Sequence, residues 1–134
     1  MSTATTLPDN ATLWRLIVQA GGMKAAAFSV EAFGAEIATA MSVDDQGRTM
    51  HVHFYRNGAS PILSDAFPEH GHVLQPPQAF ALMPMVDDLD ARDAQAVAAG
   101  ATTVMPPADM FWGDRYDHLH DPCGVLWTIN QQRR

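Results

Sequence analysis

Apolar and polar positions divide the chain into short runs whose period changes repeatedly. Leu13 to Val18 is an apolar run of strand length, stopped by Gly21 and Gly22. From Met23 to Phe33 the period lengthens. Ala25, Phe28 and Ala32 recur at intervals of three and four, which predicts an amphipathic helix closed by Gly34 at its C-cap. Ala35 to Val43 and Arg48 to Arg56 read as strands joined by a turn at Asp44, Asp45 and Gly47. Asn57-Gly58 is a strong hairpin signal leading into a further strand, ASPILS, at 59–64. The first half therefore predicts strand, helix, strand, strand, strand.

Residues 66 to 77 carry three prolines and no periodicity, and they break the pattern in two. Beyond them Phe80 to Val86 is strand-like, and Asp87 and Asp88 are N-cap candidates for a helix through Ala99 that Gly100 closes. ATTVM, RYDHLHD and GVLWTIN supply three more strands, separated by PPADMFWGD and by Pro122-Cys123-Gly124. The order repeats. Gly34 and Gly100 are 66 residues apart, and Gly58 and Gly124 share that shift, as an internal duplication would leave. The expectation is an α+β chain of two tandem βαβββ modules, about 11–65 and 78–134, joined by the linker 66–77. Residues 1–10, rich in Ser, Thr, Pro and Asn, read as a flexible tail before a single domain at 11–134.

Charge narrows the partners. Fifteen Asp and Glu against eight Lys and Arg give a formal charge of -7, which disfavours nucleic acid and anionic lipid. No apolar run approaches the roughly 18 residues of a membrane span. Cys123 is the single cysteine and has no internal disulfide partner, and the first residues lack the basic start and apolar run of a secretory leader. A cytoplasmic setting is the expectation.

All six histidines come as His-x-His: His51 and His53, His70 and His72, His118 and His120. On a strand, residues two apart share a face, so either strand pair could chelate an ion. The shift of 66 sets His118 on Val52 and His120 on Phe54, which predicts that the two strand pairs face opposite sides of their sheets. Ordinary strand histidines, an ion held by either strand pair, or a pocket acid or base are the three readings. The pair in the proline-rich linker reads as solvent-facing. No Gly-x-Ser-x-Gly elbow is present, and no Glu follows His53 where a cupin motif needs one. Phe111, Trp112 and Tyr116 cluster around Gly113 beside Asp114 and Arg115, as packing or as the wall of an amphipathic pocket.

FSVEAFGAEI, ILSDAFPEHG, LDARDAQAVAAGA and above all PPADMFWGDRYDHLHDPCGVLWTI resemble the glyoxalase/bleomycin-resistance/dioxygenase (vicinal oxygen chelate) superfamily, in its PhnB-like branch, over about residues 12–130. The resemblance implies two βαβββ modules whose mixed sheets curl into half-open barrels, with pockets completed in a homodimer. It also implies metal ligands on the first and last strand of each module. Here those places fall at about Trp14, Ile62, Ala81 and Thr128, none a competent donor to a divalent ion. The resemblance thus points to a metal-free, cofactor-free protein that binds a small-molecule ligand, in the manner of bleomycin-resistance relatives. Trp14, Ser64, Asp65, Trp112, Arg115 and Tyr116 would be its ligand-binding residues. The alternative is a lyase, isomerase or dioxygenase of the glyoxalase type that holds Zn, Ni, Mn or Fe with non-standard ligands such as His51 and His53. Whether the chain is an enzyme is left open.

Overall fold

The computed structural model describes residues 17–55 and 61–133. Trp14, the expected tail, most of the first strand and the Asn57-Gly58 turn lie outside the described residues. Strand β1 (Ile17–Val18) leads through Gly21, whose φ of 90° is left-handed, into helix α1 (Gly22–Phe33). Ala25, Ala26, Phe28, Ser29, Ala32 and Phe33 are buried along one face of α1. Gly34 ends it at φ 66°, donating its N–H to the Val30 carbonyl at 2.9 Å. Strands β2 (Glu36–Ala40), β3 (Val52–Tyr55) and β4 (Ile62–Leu63) complete a mixed sheet in the order β1-β4-β3-β2. The turn between β2 and β3 closes where predicted, with the Asp44 carboxylate accepting from the N–H groups of Gln46 and Arg48, both at 2.9 Å.

The second half repeats this plan. Helix α2 (Leu89–Ala98) starts at Asp88, whose carboxylate accepts from Ala91 N–H at 3.2 Å, and Gly100 at φ 116° follows its end. Strands β5 (Thr102–Asp109), β6 (Arg115–His120) and β7 (Leu126–Trp127) are antiparallel neighbours, and β8 (Asn130–Gln131) also pairs with β6. Leu82 and Met85 pair in parallel with Trp127 and Asn130, just as β1 pairs in parallel with β4. The offset is 45 residues in both halves, 62 − 17 and 127 − 82. The result is α+β: two βαβββ modules, each a mixed sheet with a helix on one face.

Three strands depart from their expected bounds, each for a nameable reason. β5 runs on through Pro106 and Pro107, because it is an edge strand whose outer side needs no ladder N–H. The final strand is split: Thr128 N–H donates to the Leu82 carbonyl, and Ile129 N–H to the Asp117 carboxylate at 2.7 Å instead of to a backbone carbonyl of β6. The expected strand at 80–86 survives only as two bridges around Pro84, although Leu82 and Val86 still donate to Leu126 and Asn130.

The two halves share one core. Trp127 stacks on Phe33 at 4.6 Å between centroids and meets Phe28 at 6.0 Å. Helix α2 also caps helix α1. Arg92 Nη1 donates to the Ala32 carbonyl and Gln95 Nε2 to the Glu31 carbonyl, at 3.2 and 2.7 Å, satisfying acceptors that the last turn of α1 leaves open.

Candidate functional site

Alternation along the central strands decides which side chains share a face. Val52 and Leu119 are fully buried in the core beneath the helices, so the residues flanking them point away from the helices. His51 and His53 therefore lie on the open face of their sheet, and so do Tyr116, His118 and His120 on theirs. This corrects the expectation that the two histidine pairs face opposite sides. A uniform shift of 66 fails locally because the register slips between Ile37 and Thr39 in one sheet and twice along β5 in the other. The His51 and His53 rings sit 6.0 Å apart, edge to face.

On the second open face the rings form a continuous series. Phe111 meets Trp112 at 5.0 Å, Trp112 meets Tyr116 at 5.3 Å, and Tyr116 meets His118 at 5.0 Å, each nearly perpendicular. A tight hairpin projects the first two: Gly113, at φ 100°, donates to the Met110 carbonyl, and Met110 donates to that of Asp114. Phe111 is 97% exposed and Trp112 48%, so the wall ends in open aromatic surface.

The other expected ligand-binding residues are engaged elsewhere. Arg115, next to Tyr116 but on the other face, gives its guanidinium to Asp90 at 2.8 and 2.9 Å and to Asp109 at 3.1 Å. That contact holds the Asp90 carboxyl below the usual range. Asp65 accepts from Thr49 N–H at 2.8 Å and packs against Gly22 at the start of α1. Ser64 is buried and donates to the Asp65 carbonyl. Trp112 and Tyr116 are thus brought together; Ser64, Asp65 and Arg115 are bound into the frame.

The resemblance puts metal ligands at about Trp14, Ile62, Ala81 and Thr128. Trp14 lies outside the described residues; Ile62 lies beside Ile17 in the parallel pairing, Ala81 is exposed just before the Leu82 bridge, and Thr128 is buried. Hydrocarbon and one hydroxyl do not fit a hard or borderline divalent ion. Among the described residues no three of His, Cys, Asp and Glu gather where they could hold one.

Two features were missed by sequence reasoning. Asp121 organises the Asp-Pro-Cys-Gly turn: its carboxylate accepts from Cys123 and Val125 N–H at 2.8 and 3.0 Å and from Trp127 Nε1–H at 3.0 Å. The DP-x-G-x-x-W spacing is therefore a folding motif. A groove of about 480 Å³ is lined by Met85, Val86, Asp87, Asp88, Ala91, Arg92 and Gln95. It contains none of the expected ligand-binding residues, and its one cation, Arg92, is bound to Ala32 and Gln95.

With this geometry in place, the family model described as Glyoxalase/Bleomycin resistance protein/Dioxygenase superfamily matches residues 18–129. The chain belongs to this superfamily. An uncharacterized protein of Mycobacterium bovis, Mb0911c, is 34% identical over 114 residues, covering 80% of this chain and 74% of the relative. A crystal structure of a glyoxalase-related enzyme from Fulvimarina pelagi is similar with a TM-score of 0.71 at 18% identity, over 90% of this chain and 89% of that one. The PhnB protein from Bacillus cereus is similar with a TM-score of 0.65 at 19% identity, over 92% and 99%. At such identities the two structures speak for the fold alone.

Proposed function

We propose that this superfamily member binds a small amphipathic ligand, without a metal ion, against the open aromatic face of its second sheet. The observation that carries the reading is the ring series Phe111, Trp112, Tyr116 and His118, half open to solvent on the face that the helices do not cover. A planar apolar group can lie along such a wall, while His118 offers a polar contact. In this proposal Arg115 positions the strand and touches no ligand; Ser64 and Asp65 act likewise on their own sheet. Ile17, Met41 and Met50 leave apolar surface exposed in the first half. A homodimer that sets this surface against the wall of a second copy would enclose the ligand. The FWGDRY and DP-x-G-x-x-W segments and the likeness to the Bacillus cereus protein favour placement in the PhnB-like branch.

A thermal-shift screen of planar aromatic and amphipathic compounds tests this, run once in EDTA and once with Zn, Ni, Mn or Fe. A compound at 100 times its Kd stabilises by about 2.7 kcal/mol, a rise of roughly 8–12 °C for a domain this size. The reading expects hits in EDTA that disappear in Trp112→Ala. Hits that require an ion and survive Trp112→Ala would favour the metal-dependent enzyme instead.

A further inference from the structure

Among the described residues, two buried side-chain polar atoms lack a hydrogen-bond partner, Asp93 Oδ2 and Asp117 Oδ2. They belong to carboxyls that meet where α2 packs on β6. Asp117 is fully buried, and its Oδ1 is committed to Ile129 N–H at 2.7 Å, so only Oδ2 is left for Asp93.

Among the described residues no cation relieves the pair. Arg115, two residues along β6, is taken by Asp90 of α2 and Asp109 of β5, and Arg133 also lies at 3.4 Å from Asp109. Arg92 of α2 is held by the Ala32 carbonyl and Gln95. From α1, the Glu31 carbonyl accepts from Gln95, and the residue is exposed. Asp114 is occupied by Asn130. Among the described residues the charged group acting on Asp117 is Asp93.

Two ionised carboxylates in contact and out of water repel each other, whereas one proton between them turns repulsion into a hydrogen bond and supplies both orphan oxygens. We propose that Asp93 and Asp117 share a single proton, clamping α2 to β6 directly behind the aromatic wall, and that losing this proton at alkaline pH loosens the wall. Burial, reinforced by Asp93, pushes the Asp117 carboxyl up to about 8. In the unfolded chain the same carboxyl titrates near pH 4. The folded state therefore holds the extra proton, and stability falls as pH rises from about 4 through about 8 and then levels off. Asp117 stands between Tyr116 and His118 in the strand, so displacement of its backbone moves two rings of the wall; this part rests on the proposed ligand site.

Carbon-13 NMR of the carboxyl groups, titrated from pH 4 to 10, tests the shared proton without any ligand. The expected result is one step near pH 8, together with a denaturation midpoint that falls as pH rises from about 4 to about 8 and is flat above it. Asp117→Asn, whose amide donates to Asp93 without titrating, removes both; if that variant fails to fold, Asp93→Asn makes the same test from the helix. Both carboxyls titrating below pH 5.5, with parallel stability profiles for wild type and variant, would overturn the proposal. The Trp112 indole N–H resonance reports the coupling. It should move with a midpoint near 8 in the wild type and not in Asp117→Asn, and a Trp112 signal indifferent to that step would overturn the link to the wall.

Discussion

Replacing Asp121 by Ala removes a carboxylate on which three donors converge, at 2.8, 3.0 and 3.0 Å. Val125 and Trp127 are buried, so water cannot take over as acceptor; Cys123 is half-buried and its N–H is more easily rehydrated. A hydrogen bond to a charged acceptor contributes about 1.5–3 kcal/mol, so losing two buried ones costs about 3–6 kcal/mol. Total stability for such a domain is on the order of 5–15 kcal/mol, and the variant gives up a large fraction of it. Asp121→Asn keeps one carbonyl acceptor but turns its amide toward one of the donors, so its cost is about 1–3 kcal/mol. Urea denaturation followed by far-UV circular dichroism measures both, and unchanged m-values confirm that the native state is the one affected. Asp121→Ala within about 1 kcal/mol of wild type, or Asp121→Asn as costly as Asp121→Ala, would refute the assignment of this residue as the organiser of the turn.

Three further outcomes are expected. Gly22→Ala sets a methyl group into the Asp65 carboxylate at a φ of 32°, whereas Gly34→Ala, at φ 66°, meets open space. Strain alone costs the second about 1 kcal/mol, so thermal melts should rank Gly22→Ala clearly below it, and the reverse order would be a contradiction. Trp112→Ala should change stability by less than about 1.5 kcal/mol, because the side chain is half exposed and only part of its burial is lost, yet it should abolish ligand-induced stabilisation. Elemental analysis of untagged protein purified without chelators should find no stoichiometric Zn, Ni, Mn or Fe; near-stoichiometric metal that vanishes in His51→Ala, His53→Ala would point to the enzyme.

What the sequence made legible was local. Asp88 caps α2 and Gly34 closes α1 because those signals act within one turn of backbone, and the repeat of element order followed from them. Edge position was not legible, and it is what lets β5 pass through Pro106 and Pro107. Nor were the register slips, which put all four strand histidines on open faces where a uniform shift of 66 predicted opposition. Trp112 and Tyr116, neighbours across a short hairpin, were readable as a cluster. Arg115 and Asp65 were not separable from them, because their partners Asp90 and Thr49 are distant in sequence. The Asp93–Asp117 contact spans two elements and leaves no pattern along the chain.

The central claim is that the open ring series of the second sheet holds the ligand, and it is tested most directly by proton–nitrogen correlation spectra recorded in EDTA while a screening hit is titrated in. The account predicts shifts at the Trp112 indole and at the amides of Phe111 to His118, saturating together. Perturbations confined to Met85–Gln95, around the groove at the start of α2, would contradict it.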